Sequence, residues 1–183
     1  MNVIRILNKE HELILEFLDQ LSKAAKLIFE EQNPSREFLE LTVEFARHFA
    51  DKFHHFKEEY IMFGVLAQKK EGSLLSLIER LRQQHEQGRN YIQEISESTN
   101  GYDKDLDSAI RTVHRNLKDY VTNLRRHIDY EDKTFFPIAE KELTAEELEN
   151  LLSEFNKVDK KLPEYNIEKS RNIVERMKAL LEN

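Results

Sequence analysis

No cysteine occurs among the 183 residues of the chain. Disulfides, iron–sulfur ligation, c-type haem attachment and thiol chemistry are excluded together by that one absence. Backbone breakers are scarce too, with four glycines and three prolines. Set against 34% charged residues, that scarcity favours long amphipathic helices over sheets. There is no long apolar run either. The longest, residues 61–67 interrupted by Gly64, is far too short to span a bilayer. The N-terminus lacks the basic-then-apolar layout of a signal peptide. No basic patch stands out, and the formal charge is −7, so nucleic acid has no electrostatic support as a partner. These absences give the expectation of a soluble, cytoplasmic, single-domain protein with neither nucleic acid nor membrane as a partner.

What is present is helical periodicity. Leu7, Ile14, Leu18, Leu21, Ala25 and Ile28 recur at steps of three and four and predict a first helix over residues 2–31. His11 falls on that stripe. Asn33-Pro34 ends it and opens a second helix over 34–70, because proline suits a first helical position. Phe38, Leu41, Phe45, Phe49 and Phe53 form one stripe of this helix, with His54, Glu58 and Ile61 on a second beside it. Ser73 is the expected N-cap of a third helix over 74–98, whose stripe of Ile78, Leu81, Gly88, Ile92 and Ile95 includes His85. Asn100-Gly101 reads as a turn. A fourth helix is predicted over 103–137, with Val113, Leu117, Val121, Leu124, Glu131 and Phe135 inward, His127 in register, and Pro137 as its end or a kink. Thr144-Ala145-Glu146-Glu147 is a capping box opening a helix to about residue 158, and a last helix covers 165–181. The predicted fold is all-α: an up-down-up-down antiparallel four-helix bundle with two additional C-terminal helices. The chain is one domain, 1–183, with the bundle in 1–140 and the helical extension in 141–183.

The chemistry lies in a recurrence. His54 and Glu58 are four apart, hence on one helix face, and so are His127 and Glu131. Phenylalanine follows each Glu by five positions, as Phe63 and Phe136. The first and third helices carry His11-Glu12 and His85-Glu86. His85 follows His11 by 74 positions and His127 follows His54 by 73, so the first helix pair repeats as the second. Packed about an approximate two-fold axis, the two pairs would bring four histidines and two glutamates together at similar depth.

A single histidine on an apolar stripe is more often a hydrogen-bonded core residue than a ligand. One on each of four inward stripes, with two inward carboxylates, is poorly explained that way. Two buried carboxylates facing each other are costly without a cation, though protonation or water would also relieve them. Imidazole with carboxylate suits iron, manganese or zinc. Six donors are too many for one tetrahedral zinc; shared between two metals with both carboxylates bridging, they leave positions open. The Glu-x-x-His of ferritin-like di-metal proteins and the His-Glu-x-x-His of metalloproteases are both absent.

The combination of Glu10-His11-Glu12, His54-His55-Phe56-Lys57-Glu58-Glu59, Gln84-His85-Glu86 and His127-Ile128-Asp129-Tyr130-Glu131 resembles the hemerythrin-like (HHE cation-binding) family. The resemblance implies a four-helix bundle holding two iron ions, oxo- or hydroxo-bridged, with manganese and zinc as the lesser alternatives. It implies His11, His54, Glu58, His85, His127 and Glu131 as metal ligands. His55, Glu59, Glu12 and Glu86 are candidates for a supporting layer or for solvated charges. Oxygen-carrying members have a further histidine four residues after the third-helix ligand; here that residue is Arg89. The implied function is binding of dioxygen, peroxide or nitric oxide for sensing, storage or detoxification. Alternatives are a di-iron redox enzyme disproportionating peroxide, an iron donor in iron–sulfur repair, and a metal-responsive regulatory bundle. The C-terminal helices are expected to pack on the bundle, or to meet a second copy or a protein partner.

Overall fold

A computed structural model describes residues 2–72 and 74–182 of the chain. Most of its described residues are helical, with no strand among them. Helix α1 is Val3–Phe29, capped by the Asn2 side chain, which accepts from the Ile4 amide at 3.1 Å. Its stripe is buried as the periodicity requires, with His11 on it. Helix α2 begins at Arg36, two residues later than Pro34 suggested. Ser35 is the cap, its hydroxyl accepting from the Phe38 amide, and Pro34 precedes it.

Arg36–Phe45, Ala46–His55, Lys57–Met62 and Phe63–Leu66 then follow as one helical run, α2, over 36–66. Its middle two stretches are π-helical. The predicted helix reached residue 70, but Lys69–Gly72 is a separate 3₁₀ turn, with Gly72 at φ +84°. The expected cap Ser73 lies outside the described residues.

Helix α3 is Leu75–Tyr102 and passes straight through Asn100-Gly101, where a turn was expected. Gly101 serves close packing instead: a Cβ there would lie 2.8 Å from the Ala109 Cβ of the next helix. Tyr102 is anchored by donating its hydroxyl to the Pro34 carbonyl at 3.0 Å. The reversal comes just afterwards, with Asp105 at φ +52°. Helix α4 therefore starts at Asp107. It runs as Asp107–Tyr130, a π-helical turn Glu131–Phe135, and Phe136–Glu142. Pro137 does not end it. The Phe136 amide bonds back to the Glu131 carbonyl, and this wider turn relieves the register that proline would otherwise disrupt.

Helix α5, Ala145–Lys161, opens on the Thr144–Glu147 capping box, with both reciprocal bonds formed. Helix α6 is Ile167–Glu182. Helix α3 lies along α4, α1 packs on α4, and α2 packs on α3; α5 and α6 both lie against α1 and α2. Two apolar clusters result. One gathers Phe17, Phe45, Phe49, Phe53, Leu117 and Leu124. The other gathers Leu7, Met62, Phe63, Leu81, Phe135 and Phe136. Between them sits a layer of histidines and glutamates. No helix among the described residues is long and apolar enough to cross a membrane.

Candidate metal centre

His11 from α1, His54 and Glu58 from α2, His85 from α3, and His127 and Glu131 from α4 are each at most 1% exposed. They converge. His11 Nε2 is 3.3 Å and His127 Nε2 3.0 Å from Glu131 Oε2. His54 Nε2 and His85 Nε2 are each 3.6 Å from an oxygen of Glu58. His85 Nε2 faces His127 Nε2 at 2.9 Å. Ring faces of Phe136 and Phe63 lie near-parallel to His11 and His85 at centroid distances of 5.5 and 6.3 Å, keeping that side dry.

The outward nitrogens explain the orientation. Nδ1 of His11 donates to Asp132 at 2.7 Å, of His54 to Glu10 at 2.9 Å, of His85 to Glu59 at 2.6 Å, and of His127 to the Gln84 amide oxygen at 3.0 Å. Each partner is an acceptor, so each Nδ1 carries a proton and, in the neutral ring, Nε2 keeps its lone pair. All four lone pairs then point inward. The 74- and 73-residue repeat extends to these acceptors, relating Glu10 to Gln84 and Glu59 to Asp132. Sequence reasoning did not assign Glu10, Gln84 and Asp132 this role. The repeat itself was the signal, since each stands next to a repeated site residue.

Among the described residues, both oxygens of Glu58 and of Glu131, and Nε2 of His11 and His54, are buried without a hydrogen bond. Buried polar atoms are seldom left so. Burial, followed by the charge of Glu131, raises the Glu58 carboxyl well above the ordinary range. Burial would also raise Glu131, but the His127 and His11 imidazoles outweigh it and hold that carboxyl low. Burial would lower His11, yet Asp132 and Glu131 together bring it up to about 9. Burial, reinforced by neighbouring histidines, depresses His54 and His85 well below the usual value. Among protein groups alone, the Glu58 carboxyl is pushed toward its neutral form and the His11 imidazole toward its cationic one. A cation among these atoms relieves both, and paired lone pairs such as those of His85 and His127 suit one directly.

His55 is placed differently from a solvated charge. It is 6% exposed, its Nε2 has no partner among the described residues, and its ring stacks on His85 at 3.7 Å. On an α-helix adjacent side chains diverge by about 100°. The π-helical stretch 46–55 closes each turn over more residues, which lets His54 and His55 both turn inward. Two groups of potential ligands follow: His11, His54, Glu58 and Glu131, and His55, Glu58, His85 and His127, with Glu58 in both. Glu12 and Glu86 face solvent, and Glu86 pairs with Arg89. His48 and His114 lie elsewhere, against Tyr165 and Phe29.

The acceptors are themselves held. Glu59 pairs with Arg89 at 2.6 Å, and Arg89 also reaches Asp51. Glu10, 1% exposed, is met at 2.5 Å by Lys57, which is wholly buried, lies 3.7 Å over the Phe53 ring, and is bound from α5 by Asp159 at 2.8 Å.

Residues 2–139 match the family model of the hemerythrin HHE cation binding domain. Neither the curated proteins nor the solved structures compared with the chain include a match. With that match over most of its length, and a buried His/Glu cluster able to hold metal cations, the chain belongs to the hemerythrin HHE cation-binding domain family.

Proposed function

We propose that the centre holds two iron ions and binds a small oxidant ligand, dioxygen, peroxide or nitric oxide, for sensing, storage or detoxification. The observation that carries this reading is the pair of four-donor groups sharing Glu58. His11, His54 and Glu131 would hold one ion, and His85, His127 and His55 the other, with Glu58 common to both groups and Glu131 also 3.0 Å from His127. His55 then supplies a fifth imidazole, from a helix other than the one that carries it in oxygen carriers. The frame is an up-down-up-down four-helix bundle with two C-terminal helices laid on it, in accord with the packing of α3 on α4 and of α5 and α6 on α1 and α2.

Two iron ions held there would supply Lewis acidity and one-electron redox chemistry. The chain's own contribution is positional. Asp132, Glu10, Glu59 and Gln84 hold the four imidazoles at the tautomer and angle that aim Nε2 inward. Phe63, Phe135 and Phe136 exclude bulk water from one side. Iron-loaded protein should show an oxo-to-iron charge-transfer band that shifts on adding peroxide, azide or nitric oxide. A sample carrying two irons that is colourless and unresponsive to all three overturns the ligand-binding reading. Steady oxygen evolution from peroxide, lost in Glu131→Ala, would favour the enzyme over the binding protein.

A further inference from the structure

Beside His55, between α2 and α3, lies a cavity of about 280 Å³. His55 and His85 line its inner end, and Ile92, Tyr120 and Leu124 are buried in its wall. Gly88 adds room: a Cβ there would meet the Tyr120 ring at 3.5 Å, ordinary contact, so the backbone does not demand glycine and the missing side chain is space. One polar group in the wall is uncommitted: the Tyr120 hydroxyl, on a side chain 3% exposed, makes no hydrogen bond among the described residues.

The rim carries Arg47, Asp51, Lys52 and Arg89. Arg89 is answered by Asp51, Glu59 and Glu86. Arg47 is not: it donates to the neutral amide oxygen of Gln93 at 2.7 Å, across from α2 to α3. Lys52 makes no ion pair among the described residues. In a chain of net charge −7, two uncompensated cations at the mouth of an apolar cavity reverse the local field and favour an anion there.

We propose that this cavity binds a small amphipathic anion, of the class of a short-chain carboxylate. Its acid group lies on Arg47 and Lys52, its apolar body on Ile92, Tyr120 and Leu124, and its far end against His55. The cavity thereby presents an organic acid, not only a diatomic gas, to the edge of the metal centre. This rests on the proposed function for what lies behind His55, but not for binding itself.

Hexanoate is a suitable probe, with hexylamine as its charge-reversed control and hexanol as its neutral one. Calorimetric titration of metal-free and iron-loaded protein should give saturable hexanoate binding at least about tenfold tighter than hexanol, and none with hexylamine. In imidazole NMR of the metal-free protein, the His55 signals should move on binding while those of His48 and His114 stay. Replacing both rim cations (Arg47→Gln with Lys52→Gln) is a surface change that leaves the fold in place, and should weaken hexanoate about tenfold. Gly88→Leu fills the cavity and should abolish binding. No hexanoate binding by the native chain, equal binding of hexanoate and hexylamine, or undiminished binding in the double rim variant overturns the proposal. The two readings fail separately. Hexanoate binding without iron uptake leaves the cavity and removes the metal centre, and iron uptake without hexanoate binding does the reverse.

Discussion

The two halves of the centre share a geometry and differ in charge. In one, His54 donates to Glu10 at 2.9 Å; in the other, at the repeat-related position, His127 donates to Gln84 at 3.0 Å. The bonds differ by only 0.1 Å, but the first acceptor is a carboxylate and the second a neutral amide. A buried carboxylate needs a partner, and Lys57 provides it, itself held by Asp159 of α5. Tyr130 stands at the position related to Lys57, and it packs outward under Arg80. Gln84 needs no cation and has none among the described residues. The repeat therefore fixes where an imidazole points, while the acceptor's charge decides what else must be buried with it. One half is self-contained. The other reaches through Lys57 to the C-terminal extension.

Removing the cation from the charged half should have the largest effect. Lys57→Met leaves Glu10 buried and unpaired, and is expected to destabilise the protein by about 3–5 kcal/mol in denaturant unfolding at pH 8. Adding Glu10→Gln converts that half to the chemistry of the other and should restore most of the loss. If the double variant is no more stable than Lys57→Met, the pairing is not what Lys57 is for.

The same contrast predicts a pH dependence. Burial, opposed by Lys57, raises the Glu10 carboxyl to about 7 from 4.5. Between those values the folded protein holds a proton that the unfolded chain has released, so stability falls as pH rises from about 4.5 to 7. The contribution is at most about 3 kcal/mol. Chelator-treated Glu10→Gln should have a flatter stability profile than the native protein across that window, while Gln84→Ala should keep the native slope. Parallel profiles for Glu10→Gln and the native chain would contradict the assignment.

At the neutral acceptor, Gln84→Ala deletes one hydrogen bond and leaves His127 Nδ1 without its acceptor, for about 1–2 kcal/mol and a measurable weakening of metal affinity. The smallest effect is expected from Asp159→Asn. That carboxylate is 45% exposed, so water replaces much of what it gives Lys57, and the melting temperature should move by no more than a few degrees.

Much of this was legible in the sequence because inward residues repeat at helical spacing. His11, His54, Glu58, His85, His127 and Glu131 each lie on a stripe that the fold buries, and the spacing of the two halves pairs them without reference to structure. Three features were hidden for physical reasons. His55 is turned inward by π-helical winding, which leaves no mark in a 3.6-residue pattern. Gly101 and Pro137 read as breakers, but one permits a close helix contact and the other sits just past a widened turn. Lys57 carries no mark of burial in the sequence, and only the burial of Glu10 one helix away explains why it lies in the core.

Metal content bears on all of this at once. Protein purified from iron-replete cells should carry two iron ions per chain, and Glu58→Ala, which removes the carboxylate common to both donor groups, should carry one or none while remaining folded. A native chain that emerges folded and free of metal, or a Glu58→Ala chain that retains both ions, contradicts the proposed centre.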